Sequence, residues 1–524
     1  MSLLFSIQSL LSLFAFFIII CYLYFSNNNN NNNNKSKSTK STTTSTSSPI
    51  LRNYPLLGTL PQFIQNRHRF LDWATEILAS SPTNTLTFCR PGGIRGVSTA
   101  NPLVIEYILK TNFRNYPKGP RFTSYLHDFL GQGIFNSDSH LWKLQRKTAS
   151  FEFNTKSLRN FAADNVEFEL QSRLLPLLHN SSHTPTPIDL QDLLERFAFD
   201  NVCKLAFNVD PKCLSLSSQH SEKNHSVVGA EFMQAFEDAA MLSAGRFMYA
   251  VPNLWRLKKR FNIGSENRLR ESIKTVHDFA DRIIRSRLVG RDGSGLGSDL
   301  LSRFITNGHD SPEFLRDIVI SFILAGRDTT SSALSWFFWV LASRPDVERS
   351  ILEELEGVRV RYGKCVRDAY SLEELREMNY LHAAITESMR LYPPVPMDEK
   401  ESLEEDVLPD GTFVGKGWFV SYNTYATGRM ESVWGKDCMV FVPERWLENG
   451  MFRAENAFQY PIFHAGPRIC LGKDMAYIQM KAIAASVIER FVVEIVEKDK
   501  PPTPLLSLTL RMKEGLMVRV KKRC

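Results

Sequence analysis

Residues 463–472 read FHAGPRICLG, and the only sulfur in this stretch is the thiol of Cys470. A disulfide cysteine needs none of these neighbours, and a buried structural cysteine needs only apolar ones. Gly466 and Gly472 allow backbone to approach a ligand closely and to adopt positive φ. Arg468 fixes a cation two residues before the sulfur, suited to a carboxylate, and Phe463 offers a flat apolar wall. The helical pattern that opens at Leu471 aims a helix N-terminus at Cys470, which favours a thiolate. Taken alone, the same pattern also suits a small buried hydrophobe. The decision therefore rests on segments elsewhere in the chain.

The first of these is AGRDTT, Ala325 to Thr330, in the middle of a long apolar run. Ser311-Pro312-Glu313 opens that run as a helix, with a capping serine, a first-turn proline and an early acid. The helix is expected to continue to about Ser343, before Pro345 starts another. A second membrane span is the bland alternative, and Arg327, Asp328 and the hydroxyl residues at its centre make it costly. Small Ala325 and Gly326 leave room beside the helix, with Asp328 and Thr329 supplying acid and hydroxyl for proton delivery. A helix merely bent by back-bonding threonines is the structural alternative. Glu387 and Arg390 stand i,i+3 on one helix face, and Arg445 in PERW offers a second guanidinium to Glu387. Trp142 and Arg146 stand i,i+4 in LWKLQRK. Singly, these pairs are unremarkable.

In this order, the four segments resemble the cytochrome P450 superfamily of haem-thiolate monooxygenases. The matching pieces are W-x-x-x-R (Trp142, Arg146), A-G-x-D-T (Ala325 to Thr329), E-x-x-R (Glu387, Arg390), P-E-R (Pro443 to Arg445) and F-x-x-G-x-R-x-C-x-G (Phe463 to Gly472). The resemblance implies haem b as cofactor, Cys470 as axial ligand of its iron, and Phe463 and Gly466 in the haem-binding loop. It implies that Trp142, Arg146 and Arg468 hold the haem propionates, that Glu387, Arg390 and Arg445 brace the proximal side, and that Asp328 and Thr329 relay protons. The hinge after the N-terminal segment reads NYPLLGTLP in place of the family's P-P-G-P. AGRDTTSSALSWFFWVLASRP, VLPDGTFVGKG, YATGRMESVWGKDC and FHAGPRICLGKDMAYIQMK are similar to the plant fatty-acid ω-hydroxylase and jasmonate-conjugate oxidase branch. Contacts that select substrate are then expected in residues 113–130, the long helix, Val395 to Met397 and the last hairpin.

The rest of the chain agrees with a membrane-tethered enzyme. Its 524 residues have the composition of a globular protein, and the net charge of +7 is too diffuse for nucleic acid. Eight cysteines without a C-x-x-C pair suit a reducing compartment and give no support to zinc. Leu3 to Phe25 is apolar almost throughout, and about 20 such residues span a bilayer. Lys35, Lys37, Lys40 and Arg52 follow it and no basic residue precedes it, so the body is expected on the cytosolic side of the endoplasmic-reticulum membrane. The expected organisation is an anchor over 1–25, an Asn/Ser/Thr-rich tether over 26–49 and one monooxygenase domain over 50–524. That domain reads as mainly α with small β-sheets near 85–98, 411–421 and 505–520, the last a hairpin turning at Lys-Glu-Gly. GSGLG (Gly293 to Gly297) lacks the preceding strand of a dinucleotide loop. NADPH is expected on a separate cytochrome P450 reductase, which Lys143, Lys147 and Lys473 are candidates to meet.

The expected reaction is hydroxylation of a fatty acid at its terminal carbon, using O2. The alternatives are oxidation of a jasmonoyl–amino acid conjugate, a non-catalytic haem protein, and an isomerase-type enzyme that uses peroxides. The last two have no need of a proton relay such as AGRDTT.

Overall fold

The apolar run around AGRDTT folds as a helix buried along most of its length. The structure, a computed structural model, describes residues 51–153, 156–215, 223–251, 253–289, 299–308 and 311–523. The expected anchor (1–25), the tether (26–49) and the Gly293–Gly297 loop lie outside the described residues. No helix among the described residues is long and apolar enough to cross a membrane.

Seven helices position the site: α1 (Gly119–Leu130), α2 (Ser139–Phe153), α3 (Leu190–Phe207), α4 (Pro312–Ile323), α5 (Thr329–Leu341), α6 (Asn379–Leu391) and α7 (Lys473–Arg490). α4 and α5 are the two halves of the expected long helix, which ends at Leu341, close to the expected Ser343. Between them Leu324–Asp328 forms one π-helical turn. Its start differs from expectation in one detail. Ser311 makes no cap to the helix backbone; its hydroxyl donates to Glu313 at 2.9 Å. The Glu313 carboxylate bonds its own backbone N–H, which lowers its pKa and lets the acid do the capping. α5 is buried all round, which is why its sequence lacks a polar face. Trp336 on α5 stacks flat on Tyr392 just beyond α6, at 4.3 Å between ring centres. One core cluster joins α5, α6 and α7, and a second joins α3 and α4.

The main sheet contains β1 (Thr85–Arg90), β2 (Ile94–Thr99), β3 (Asp398–Glu401) and β4 (Phe419–Tyr422), in the order β1-β2-β4-β3. The β-piece expected near 85–98 is two strands, β1 and β2, paired antiparallel, and β4 runs parallel to β2 with Gly96 opposite Phe419. A Cβ on Gly96 would sit 2.6 Å from the Phe419 ring, so the glycine makes room for that ring. A second sheet pairs β5 (Phe491–Ile495) with β8 (Met517–Lys522), and β8 with a short strand at Ile188–Asp189. The last hairpin is placed differently from expectation. β6 (Pro504–Leu506) pairs with β7 (Leu510–Met512), so the chain turns at Ser507–Thr509 and not at Lys-Glu-Gly. Lys513–Gly515 instead delivers β8 to the second sheet, where Val518 and Val520 bury their side chains.

Candidate functional site

The loop before α7 is shaped by one glycine and one strained histidine. Gly466 has φ +63°, and a Cβ there would sit 2.1 Å from the Leu109 carbonyl oxygen. Its close approach is thus to the neighbouring turn, and Gly466 does not line the cavity described below, contrary to the ligand-approach expectation. Gly472 does line it, but with an ordinary φ of −90° as the N-cap of α7. His464 adopts φ +55°, and its Nδ1 lies 2.5 Å from the Tyr422 hydroxyl. The Cys470 backbone N–H donates to the Phe463 carbonyl at 2.8 Å, which closes the loop around the sulfur.

Cys470 faces a cavity of about 500 Å³, within the usual range for ligand sites. Its side chain is exposed, but to the cavity, and surrounding protein still removes it from bulk water. Burial pushes the thiol up; the Gly472 backbone N–H, Arg146 and Lys473 pull it back. Phe463, Trp142, Arg146, Arg468 and Thr329 line the same cavity, so five of the expected site residues converge on the sixth. Sequence separations of more than three hundred residues are closed here by packing alone.

The two arginines beside Cys470 keep donors in reserve. Arg468 lies 4.4 Å over the Trp142 ring and donates to Asp138 at 2.5 Å and to the Ser137 carbonyl at 3.1 Å. Its Nε is buried without an acceptor. Arg146 senses Cys470 and Arg468 electrostatically and is partly desolvated. Spare, desolvated guanidinium donors next to a thiol suit a ligand that carries its own carboxylates. This donor set fits a haem.

On the wall of the same cavity, the π turn separates the two halves of the acid–hydroxyl pair. The Thr329 hydroxyl donates to the Ala325 carbonyl at 2.6 Å and lines the cavity. Asp328 does not line it. Its carboxylate accepts from Arg327 at 2.8 Å, and Arg327 reaches Glu195 on α3 at 3.1 Å. Arg511 on β7 continues the chain to Glu195 at 2.7 Å and then to Glu237. Burial pushes the Asp328 carboxyl up against the pull of Arg327 and Arg511, and it pushes Glu195 up to about 7. No spacing in the sequence signals Glu195, Glu237 or Arg511, because each comes from a different element. The room expected beside Gly326 is also filled on one side: a Cβ there would meet Val202 of α3 at 2.5 Å.

Glu387, Arg390 and Arg445 come together away from the cavity. Glu387 and Arg390 form a bidentate pair at 2.7 Å, both fully buried. Trp446 Nε1 donates to Glu387 at 2.8 Å, the Val442 backbone N–H at 3.0 Å, and Arg445 approaches at 3.5 Å. Arg390 spends its remaining donors on the carbonyls of Gly428, Cys438 and Val440. Every charge is met, so the network holds α6 to the loops that precede the cysteine segment. Of the stretches expected to select substrate, the long helix brings Phe322 to the cavity and turns Ile323 into the core, and Val395 and Met397 line the cavity as well. Lys118, Arg121, Phe122, Leu126 and Leu130 of the 113–130 stretch line it, as do Leu506 to Thr509.

A family model described as Cytochrome P450 matches residues 48–519. Cytochrome P450 CYP94D108 of Paris polyphylla is 51% identical over 467 residues, 89% of this chain and 91% of the relative. Cytochrome P450 94A1 of Vicia sativa is 46% identical over 481 residues, 90% of either chain. Cytochrome P450 94B1 of Arabidopsis thaliana is 45% identical over 482 residues, 90% of this chain and 91% of the relative.

Proposed function

This chain belongs to the cytochrome P450 family of haem-iron monooxygenases, and from that premise we propose that it hydroxylates the terminal carbon of a fatty acid. One observation carries the reading. The cavity onto which Cys470 and Thr329 open is walled by apolar side chains, among them Phe122, Leu126, Phe322, Val395, Met397 and Leu508. Such walls suit an acyl chain, and the resemblance of the sequence to the fatty-acid ω-hydroxylase branch points the same way.

The cofactor is read as haem b, held by Cys470 as thiolate ligand and by Trp142, Arg146 and Arg468 at its propionates. When bound, the haem activates dioxygen, and a thiolate ligand favours cleavage of the O–O bond. The rest falls to the chain's own side chains. Gly472 and the N-terminus of α7 stabilise the negative sulfur. Thr329 presents a hydroxyl whose own proton is committed to Ala325, which leaves its lone pairs to organise an incoming proton donor. Asp328, tied to Arg327 and raised by burial, is a proton source that must leave its pair to act. The apolar walls exclude water and hold the substrate end-on. Electrons are assigned to a separate NADPH-dependent cytochrome P450 reductase, with the chain anchored in the endoplasmic-reticulum membrane by residues 1–25 and its body cytosolic.

The test supplies purified enzyme, reductase and NADPH with medium- and long-chain fatty acids and with jasmonoyl–amino acid conjugates. The expected main product is the terminal alcohol of a fatty acid, identified by mass spectrometry. Mainly in-chain alcohols, or turnover of the conjugates alone, would overturn the fatty-acid ω-hydroxylase reading.

A further inference from the structure

Two arginines on the cavity wall rest on aromatic rings and have donors without acceptors. Arg90, the last residue of β1, lies 3.9 Å over the Phe63 ring. Its Nε is buried with no hydrogen-bond partner among the described residues. Arg121, in the first turn of α1, lies 3.9 Å over the Phe419 ring, and its Nε and Nη1 are likewise buried and unpartnered. The Arg121 ion pair is with Glu399 at 3.8 Å, beyond hydrogen-bond range. A guanidinium held by a ring face is fixed in place while its edge donors stay free. Leaving them desolvated and unmade is costly, so the arrangement calls for an acceptor that arrives from outside.

Charge says what kind of acceptor. Arg90, Arg121 and Glu399 all line the cavity, two cations against one carboxylate; Lys118 and Asp398 line it too, as an ion pair of their own. Glu401, also near Arg121, accepts from its backbone N–H at 3.4 Å and does not line the cavity. This group is distinct from the cations beside Cys470. Successive residues of β3 point to opposite faces, so Asp398 and Glu399 serve different neighbours. Asp398 binds Lys118 at 2.5 Å and Lys400 at 2.7 Å, whereas the charges around Arg90 are Arg121, Glu399 and the Tyr125 phenol.

We propose that Arg90 and Arg121 form the subsite for the substrate's carboxylate, which holds the polar end of the molecule while its apolar end runs toward Cys470. The inference rests on the reading above only in requiring a carboxylate-bearing substrate; a free fatty acid and a jasmonoyl–amino acid conjugate both carry one.

The test is calorimetric titration of the full-length holoenzyme with dodecanoate, with a jasmonoyl–amino acid conjugate, and with the methyl ester of each. Arg90→Gln and Arg121→Gln are expected to weaken dodecanoate binding by about 10- to 100-fold and ester binding by less than about twofold. Arg90→Lys should recover part of the loss. Glu399→Gln should tighten binding of the acid and not of the ester, a gain that misfolding cannot imitate. Equal losses for acid and ester, or an unchanged affinity for the acid, would overturn the subsite. Should the conjugate alone bind, with the same dependence on the arginines, the subsite stands and the fatty-acid reading fails. Should neither acid bind better than its ester, the subsite fails even if the ester is hydroxylated.

Discussion

At the scale of single residues, Cys470 and Thr329 line one cavity, and the roles proposed for them are separable by experiment. Replacing Cys470 with serine removes the only thiol among the cavity-lining residues. Cys470→Ser should therefore abolish the red-shifted carbon-monoxide band of reduced haem that marks thiolate ligation; a surviving band would remove Cys470 as the ligand. Thr329 is subtler, because its hydroxyl also bridges to Ala325 at 2.6 Å across the π turn. A structural role alone would cost about 0.5–1.5 kcal/mol of stability and leave turnover coupled. A role in proton delivery predicts another outcome: in Thr329→Ala, substrate binding is retained, NADPH consumption outruns product, and hydrogen peroxide is released. Thr329→Ser, which keeps the hydroxyl, should restore coupling. Wild-type coupling in the alanine variant would exclude Thr329 from the mechanism.

At the scale of elements, α6 and α7 are joined by a titratable stack. His382 on α6 lies 4.0 Å from the Tyr477 ring on α7 and 3.9 Å from Phe452. Burial, with Lys481 and Lys473 nearby, pushes its imidazole down to about 3. In the unfolded chain the ring takes up a proton near pH 6.5, while the folded ring refuses it. The stability gained from the neutral ring is thus complete above about pH 6.5 and is lost as pH falls toward 3. His382→Phe keeps the stack and removes the titration. Between pH 6.5 and 4.5 it should flatten the fall in unfolding free energy by about 2–3 kcal/mol, read from denaturant midpoints. An unchanged acid slope would show that other groups set it. In the neighbouring Glu387–Arg390 pair, losing one partner of a fully buried ion pair costs about 3–5 kcal/mol.

At the scale of the whole molecule, the cavity is bounded by stretches that share no local order: α1, the helix α4, Val395 to Met397 and the turn between β6 and β7. Intrinsic reactivity favours the secondary carbon next to the chain end, because a primary C–H bond is the stronger. Terminal attack requires walls that admit only the methyl group, which is a matter of positioning. Met397→Ala enlarges such a wall. It should move product from the terminal carbon toward its neighbour, with a smaller fall in total turnover, as measured by product analysis. An unchanged product ratio would take Met397 out of the selecting wall.

The sequence by itself determined the family, the cysteine loop, a hydroxyl on the same cavity and the existence of the Glu387 network. Each of these is written in short spacings that a loop or a helix turn must satisfy locally: Phe463 to Gly472, Ala325 to Thr329, Glu387 with Arg390. It also placed the long helix and a β-piece near 85–98, because helical start signals, apolar runs and β-like patterns act over a few residues. It misplaced the last turn, because the pairing of β7 with β6 and of β8 with β5 is a competition between distant strands. Only the tertiary structure decided that Asp328 turns from the cavity into an ion chain through Glu195 to Arg511, and that Gly466 is required by Leu109. It alone brought Arg90 and Arg121 to one wall with donors unspent. The physical reason is the same in each case. A charge's partner and a glycine's missing Cβ are defined by what packs against them, and that neighbour lies tens to hundreds of residues away.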